Sequence, residues 1–351
     1  MQISDNDILA LTLSNPTHLD PFEFTFPGGV GFVVDTGIFR FEPMSTRLSH
    51  DPVSLVLSVG IHGNETGPIE LVNQLVKDIL LGNLSLAIRL LVVIGNPVSA
   101  NQATRFCEVN LNRLFNGAWQ PYLTNEGAGL GLNEARRAEQ LEKAVSDFYG
   151  QDSHGTLRLH YDLHTAIRGS KYEKFAVHPF LEEPVYQHAQ FGFLVASGIE
   201  AVLLSHQPTT TFSYYSYAAH RANSFTIELG KVHPFGENDL SSFTQIQKAL
   251  IILLENATLA QGDLSSIQVF AVQDALVKNA DDYQLTIAED EENFTDFDEG
   301  YELATSSAGG YRIAKTGDAI VFPNAGVPIG QRAGLVVRPI AINSLAFELT
   351  S

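Results

Sequence analysis

A chain of 351 residues with 44% apolar and 17% charged residues holds material for about two domains of roughly 150 residues, and this composition excludes intrinsic disorder. Its 40 acidic and 21 basic residues leave a net charge of −19, which argues against the basic surface that nucleic acid or an anionic membrane requires. The lone cysteine, Cys107, excludes an intrachain disulfide and leaves almost no room for a cysteine-built metal site.

The opening stretch MQISDNDILALTLSNPTHLDPF has no basic region followed by a long apolar run, so no signal peptide is expected there. Ser54 to Gly60 is a β-branched run ending in glycine and predicts a buried strand. Glu65 to Leu81 has helical spacing, with Pro68 tolerated in the first turn. Arg89 to Gly95 predicts a second strand, stopped by Asn96 and Pro97. Asn133 to Tyr149 predicts a charged amphipathic helix, and Leu157 to His164 a strand of mixed polarity. Ile199 to Ser205 and Ser224 to Leu229 predict further strands, and Asp239 to Ala257 a helix. Strands alternating with helices imply a largely parallel sheet covered on both faces. From about Asp263 the helical pattern stops, and IQVFAVQ, YQLTI, GYRIA and AGLVVRPI predict a small all-β domain. The domains expected are therefore 1–262, with its core from about residue 50, and 263–351. The acidic segment Glu289 to Glu299 is expected to be a solvated loop. The longest apolar stretches, such as Ala249 to Leu254, are too short to span a bilayer, and a soluble cytoplasmic protein is expected.

Four groups of residues carry chemistry. His62-Gly63-Asn64-Glu65 lies just past a strand end, where α/β sheets gather their ligands, and imidazole with carboxylate suits zinc. Asp162 and His164 alternate along a strand and share a face, so one offers a third ligand and the other an acceptor for its second ring N–H. Two histidines and one glutamate leave a fourth position for water, the pattern of a catalytic rather than a structural zinc. Glu228 ends an apolar strand before Gly230, and burial there suits a general base or acid. Arg105 and the run Asn110-Leu111-Asn112-Arg113 follow the Arg89–Gly95 strand and are placed to capture an anion.

Taken in order, GIHGNETGPIE, GNPVSANQATRF…NLNRLF, DLHTAIRGSKYEKFAV and TIELGKVHPFGENDL resemble the succinylglutamate desuccinylase family. That family belongs to the aspartoacylase group of the zinc carboxypeptidase clan. The resemblance runs from about Val53 to Val337 and includes NFTDFDEGYELA and IVFPNAGVPIGQRAGLVV near the C-terminus. It implies a zinc carboxypeptidase-like three-layer αβα domain with a mostly parallel, mixed sheet, plus a small C-terminal all-β domain. It implies His62, Glu65 and His164 as ligands of one zinc per chain, Glu228 as the catalytic glutamate, and Arg105 as the arginine facing the scissile carbonyl. Asn112 and Arg113 match a pair that holds a substrate carboxylate. Asn110 departs from the aspartate usual in the wider group, which puts a charged role there in doubt.

The segments Ala166 to Ser170 and Gly230 to Gly236 resemble the desuccinylases more than their aspartoacylase relatives. N2-succinyl-L-glutamate has three carboxylates, more than Arg113 alone can hold, so Arg168 is expected as a substrate contact and Lys231 in a structural ion pair. The activity implied is zinc-dependent hydrolysis of N2-succinyl-L-glutamate to succinate and L-glutamate, in the succinyltransferase route of arginine breakdown. The alternatives are a deacylase of another N-acyl amino acid, a carboxypeptidase, or a zinc-dependent binding protein without catalysis.

Overall fold

The structure, a computed structural model, describes residues 2–44, 52–124 and 131–348. Helix α1 (Ile8–Ser14) leads into an antiparallel meander of β1 (Phe22–Phe26), β2 (Gly29–Asp35) and β3 (Ile38–Pro43). Then come β4 (Val53–Val59), α2 (Thr66–Leu81), β5 (Arg89–Ile94), α3 (Pro97–Asn101), α4 (Gln120–Leu123), α5 (Leu132–Tyr149) and β6 (Leu157–Ala166). They are followed by β7 (Lys174–His178), β8 (Val185–Tyr186), α6 (His188–Ala196), β9 (Ala201–Leu204), α7 (Phe212–His220), β10 (Asn223–Lys231) and α8 (Thr244–Asn256). The C-terminal part is built from β11 (Gln268–Val277), β12 (Gln284–Leu285), β13 (Thr295–Phe297), β14 (Glu302–Thr305), β15 (Tyr311–Arg312), β16 (Asp318–Val321), β17 (Arg332–Ile340) and β18 (Ala346–Phe347).

Among the described residues thirteen strands form one sheet, in the order β1-β2-β3-β5-β4-β6-β10-β7-β9-β11-β17-β16-β13. Its centre is parallel, with β4 between β5 and β6 and β10 beside β6. Every residue of β4 is buried, as a strand covered on both faces requires. Leu55, Leu57 and Val59 face Leu71, Val72, Leu75 and Val76 of α2, in a core shared with α6 and α8. On the other face Val56, Leu91 and Val93 pack against Ala138, Leu141 and Val145 of α5 and Phe212 of α7. These are the three layers of an αβα fold. The chain leaves β4 over one face and β5 over the other, so their carboxyl ends open a crevice.

The meander at the start of the chain extends the sheet beyond β5. Phe22, Phe24 and Phe26 alternate along β1, and β2 opposite them begins with Gly29 and Gly31. These two strand positions are glycine because a Cβ there would lie 2.2 Å and 2.1 Å from the Phe26 and Phe24 rings.

At the other side β11 pairs in parallel with β9, so main-chain hydrogen bonding continues into the C-terminal part. The core there is also shared: Phe175 and Leu203 pack with Phe270, Phe294, Val321 and Leu335. The acidic segment Glu289 to Glu299 is not simply a solvated loop. Asn293 and Phe294 within it are buried, and Thr295–Phe297 forms β13. Asn293 exchanges main-chain hydrogen bonds with Gly169 and Lys171, and its Oδ1 accepts from the Phe322 N–H at 2.7 Å. Among the described residues no helix is long and apolar enough to cross a membrane.

Asn293→Ala keeps the backbone pairing but leaves the half-buried Phe322 N–H without its acceptor. Stability is expected to fall by about 0.5–1.5 kcal/mol, the net worth of a typical hydrogen bond. A urea-unfolding midpoint unchanged from wild type contradicts this role.

Candidate active site

The crevice is lined by three strand ends and the loops that follow β4 and β5. His62 and Glu65 lie in the turn from β4 to α2, with Glu65 at the residue before the helix. Gly63 between them has no room for a side chain, since a Cβ would sit 2.2 Å from the Ala100 nitrogen. Its N–H donates to the Arg105 carbonyl, which ties this turn to the loop after β5. His164 and Asp162 project from β6, and Glu228 sits beside His164 in the β6–β10 ladder. A bulge between Glu228 and Lys231 ends the regular pairing directly after it.

His62, Glu65 and His164 are all buried, and their donor atoms lie within 4.8 Å of one another. Glu65 sits between the two rings: Oε1 is 2.8 Å from His62 Nδ1 and Oε2 is 2.8 Å from His164 Nδ1. The outer nitrogen of each ring is held from behind. His62 Nε2 is 3.0 Å from Asn110 Oδ1, and His164 Nε2 is 2.9 Å from Asp162 Oδ2. Asn110 Oδ1 also accepts the Asn112 N–H at 3.0 Å, which fixes which end of the amide faces His62. His62 therefore carries its proton on Nε2. Burial, with Arg105 and His164 nearby, outweighs Glu65 and brings the His62 pKa down to about 4. At neutral pH its bare Nδ1 thus confronts a carboxylate oxygen at 2.8 Å. Facing lone pairs need a cation to bind them, and two imidazoles with one carboxylate are a donor set for a metal ion. His164 is the opposite case, a ring with a carboxylate oxygen at each nitrogen. Burial opposes its charge, but Asp162 and Glu65 push its pKa well above the usual value.

Behind this pair runs a buried polar chain. Ser58 on β4 donates to Asp162 Oδ1 at 2.6 Å and accepts from His160 Nε2 at 2.8 Å. His160 Nδ1 in turn accepts from Ser216 on α7 at 2.7 Å. His160, Asp162 and His164 alternate along β6 and share one face, so the period-2 spacing was the available signal for His160. Ser58 and Ser216 carried no signal in sequence.

Glu228 is buried and its Oε2 has no hydrogen-bond partner. Burial, reinforced by the Glu65 carboxylate, raises its pKa to about 7. A carboxyl group poised there can take and return a proton near neutral pH. Arg105 donates to Glu65 Oε1 at 2.6 Å. Its loop is fastened to α5 by Glu134, whose Oε1 accepts the Cys107 N–H at 2.7 Å and the Glu108 N–H at 3.3 Å. Left-handed backbone at Ala103 and Asn116 turns the chain into and out of this loop. Asn112 is buried, and its Oδ1 accepts the Phe212 N–H at 3.0 Å, which holds the start of α7. Arg113 donates to the Asn112 carbonyl at 2.7 Å and makes no ion pair among the described residues. Desolvation of its guanidinium, with repulsion from Arg332 and Arg105, lowers its pKa to about 9, although the residue as a whole is exposed.

Arg168 stands apart from these groups. It is half-buried and donates to the main-chain carbonyl of Glu289. Lys231 is exposed, and the ion pair expected of it is not found among the described residues. Arg332, on β17, was not singled out in sequence.

A buried two-histidine, one-carboxylate cluster that could hold a metal ion, beside a buried glutamate, lies at the mouth of a three-layer αβα fold. Residues 52–254 match the succinylglutamate desuccinylase/aspartoacylase catalytic domain, and residues 265–340 match the AstE/AspA barrel-sandwich hybrid domain. The chain is 42% identical over 344 residues to a succinylglutamate desuccinylase of Shewanella amazonensis, covering 96% of each. It is similar to the crystal structure of the succinylglutamate desuccinylase from Chromobacterium violaceum, with 38% identity, a TM-score of 0.82, and 96% and 98% of the two chains covered. The corresponding structure from Vibrio parahaemolyticus shares 35% identity with a TM-score of 0.85, covering 95% of each chain. The chain belongs to the succinylglutamate desuccinylase/aspartoacylase family of hydrolases.

Asn110 supplies His62 with a neutral acceptor. Asn110→Ala removes it and frees the ring to turn. Affinity for a divalent metal is expected to fall by roughly 10- to 100-fold, as for other partners of ligand histidines. Competition against a chromophoric chelator measures this, and wild-type affinity in the variant refutes the role.

Proposed function

We propose that this protein is a zinc-dependent amidohydrolase that splits N2-succinyl-L-glutamate into succinate and L-glutamate. The observation that carries the reading is the convergence of His62 Nδ1 and His164 Nδ1 on the Glu65 carboxylate, with Glu228 unpaired beside them. Two imidazoles and a carboxylate are a zinc donor set, and the only cysteine, Cys107, lies outside it. The substrate is supported by the relatives named above and by the unpaired Arg113, which suits an anionic amino acid. As part of this reading, the enzyme works in the cytoplasm, in the succinyltransferase route of arginine breakdown.

The residues divide the work as follows. His62, Glu65 and His164 would hold the zinc, which when bound supplies Lewis acidity toward water and the acyl carbonyl. Glu228 takes a proton from the attacking water as the new C–O bond forms at the succinyl carbonyl. It then passes that proton to the glutamate nitrogen as the C–N bond breaks, so one carboxyl group serves as base and then acid. Arg105 donates to the acyl oxygen as negative charge develops there. Asn112 and Arg113 hold a substrate carboxylate and fix the amide over the crevice. Asp162, pinned by Ser58, keeps the His164 ring in its orientation.

Purified protein assayed on N2-succinyl-L-glutamate, N-acetyl-L-aspartate and a C-terminal peptide should favour the first. Chelation should abolish turnover and added zinc restore it. Glu228→Gln should retain zinc but lose roughly 10²- to 10⁴-fold in kcat, the worth of a placed general acid–base. Full turnover by metal-free protein overturns the mechanism. Loss of zinc in Glu228→Gln makes Glu228 a ligand instead of a base.

A further inference from the structure

Ser58, His160 and Ser216 lie behind Asp162, fully buried, and none of them takes part in the chemistry assigned above. They sit in the apolar layer between β6 and α7, where the Phe212 ring meets the His160 ring edge-on at 4.7 Å. Polar groups buried there cost free energy unless each finds a partner, and each does.

The hydrogens in this file can be assigned one at a time. A carboxylate only accepts, so the Ser58 hydroxyl gives its hydrogen to Asp162 Oδ1 at 2.6 Å. A serine has one such hydrogen, so the 2.8 Å contact between Ser58 Oγ and His160 Nε2 requires the hydrogen on Nε2. Burial brings the His160 pKa down to about 4, and the ring is neutral at neutral pH. Its Nδ1 is therefore bare and accepts from Ser216 Oγ at 2.7 Å. Every donor in the file points toward Asp162. The other tautomer reverses this: a bare Nε2 would compete with Asp162 for the single Ser58 hydrogen.

We propose that His160, with its hydrogen on Nε2, is a positioning residue for the metal centre: its donation to Ser58 commits the Ser58 hydroxyl to Asp162 and keeps that carboxylate aimed at His164. This rests on the metal-site reading given above and is independent of the substrate.

The sheet register makes the arrangement specific. Ser58 on β4 stands directly opposite Asp162 on β6, and His160 is two residues before Asp162 on the same face. The Ser58 hydroxyl can thus reach both. Asp162 Oδ1 takes the Ser58 hydrogen while Oδ2 lies 2.9 Å from His164 Nε2, so the carboxylate is fixed at both oxygens. His160 is itself supported from outside its strand. Ser216 holds its Nδ1 from α7, and the start of α7 is held by Asn112 through the Phe212 N–H at 3.0 Å. A partner of a ligand histidine is effective only when its own orientation is fixed, and His160 provides that one step farther out.

Glutamine and asparagine replace different halves of an imidazole, which gives the test. The amide nitrogen of H160Q reaches the place of Nε2 and can still donate to Ser58. The shorter H160N reaches only the place of Nδ1 and cannot. Zinc affinity is measured by competition with a chromophoric chelator. H160N should bind zinc roughly 3- to 10-fold more weakly than wild type, the worth of one hydrogen bond, and H160Q should recover most of that loss. In an S58A background H160N should cause no further loss, because the relay is already cut. A purely structural role would lower the melting temperature without separating the two variants in zinc affinity. Long-range proton–nitrogen NMR on wild type needs no variant and should show a neutral His160 with its hydrogen on Nε2. Wild-type zinc binding is measured first, and its absence overturns the metal reading and this proposal together. With wild-type binding established, wild-type affinity in H160N, equal losses in H160N and H160Q, the same loss in the S58A background, or a His160 that is doubly protonated or carries its hydrogen on Nδ1 overturns the role of His160 alone.

Discussion

The Glu65 carboxylate lies between two imidazoles whose outer nitrogens are already committed, and the rest of the site depends on that constraint. Asn110 and Asp162 each accept a ring N–H, so both Nδ1 atoms are turned inward onto one carboxylate. Neither ring can rotate away without breaking a buried hydrogen bond. The cost of gathering these groups is high unless a cation joins them. Burial, reinforced by the neighbouring Glu65 carboxylate, raises the Glu228 carboxyl, which gives it a proton affinity suited to chemistry near neutral pH.

The scaffold serves this arrangement from three directions. The adjacency of β4 and β6 puts Ser58 opposite Asp162, and the relay through His160 anchors Asp162 to α7. Helix α5 uses Glu134 to hold the loop carrying Arg105 and Arg113, and Arg137 to donate to the carbonyls of Ile94 and Gly95 at the end of β5 and of Thr36 in the β2–β3 turn. The C-terminal strands continue the sheet past β9 and share an aromatic seam with β7. Asn293 closes that seam beside the segment that follows His164.

Much of this was legible in sequence where a strand end coincided with unusual polarity. The turn His62 to Glu65, the alternation of Asp162 and His164, and Glu228 before Gly230 all stand out because apolar strands end in groups that cost energy to bury. Helices α6 and α7 were not visible. Gln190 to Leu194 is buried without a break, which erases amphipathic periodicity, and FSYYSYAAH is poor in helix-favouring residues. The opening meander was masked by glycines that aromatic rings require. Asn293 was hidden in an acidic run. Ser58 and Ser216 are ordinary strand and helix residues until their partners are known.

The most direct measurement is zinc K-edge X-ray absorption on protein purified without added metal. The account predicts one zinc per chain with two imidazole nitrogens at about 2.0–2.1 Å, oxygen donors completing the shell, and no sulfur scatterer. A shell containing sulfur at about 2.3 Å, a single imidazole, or no bound zinc at all contradicts it.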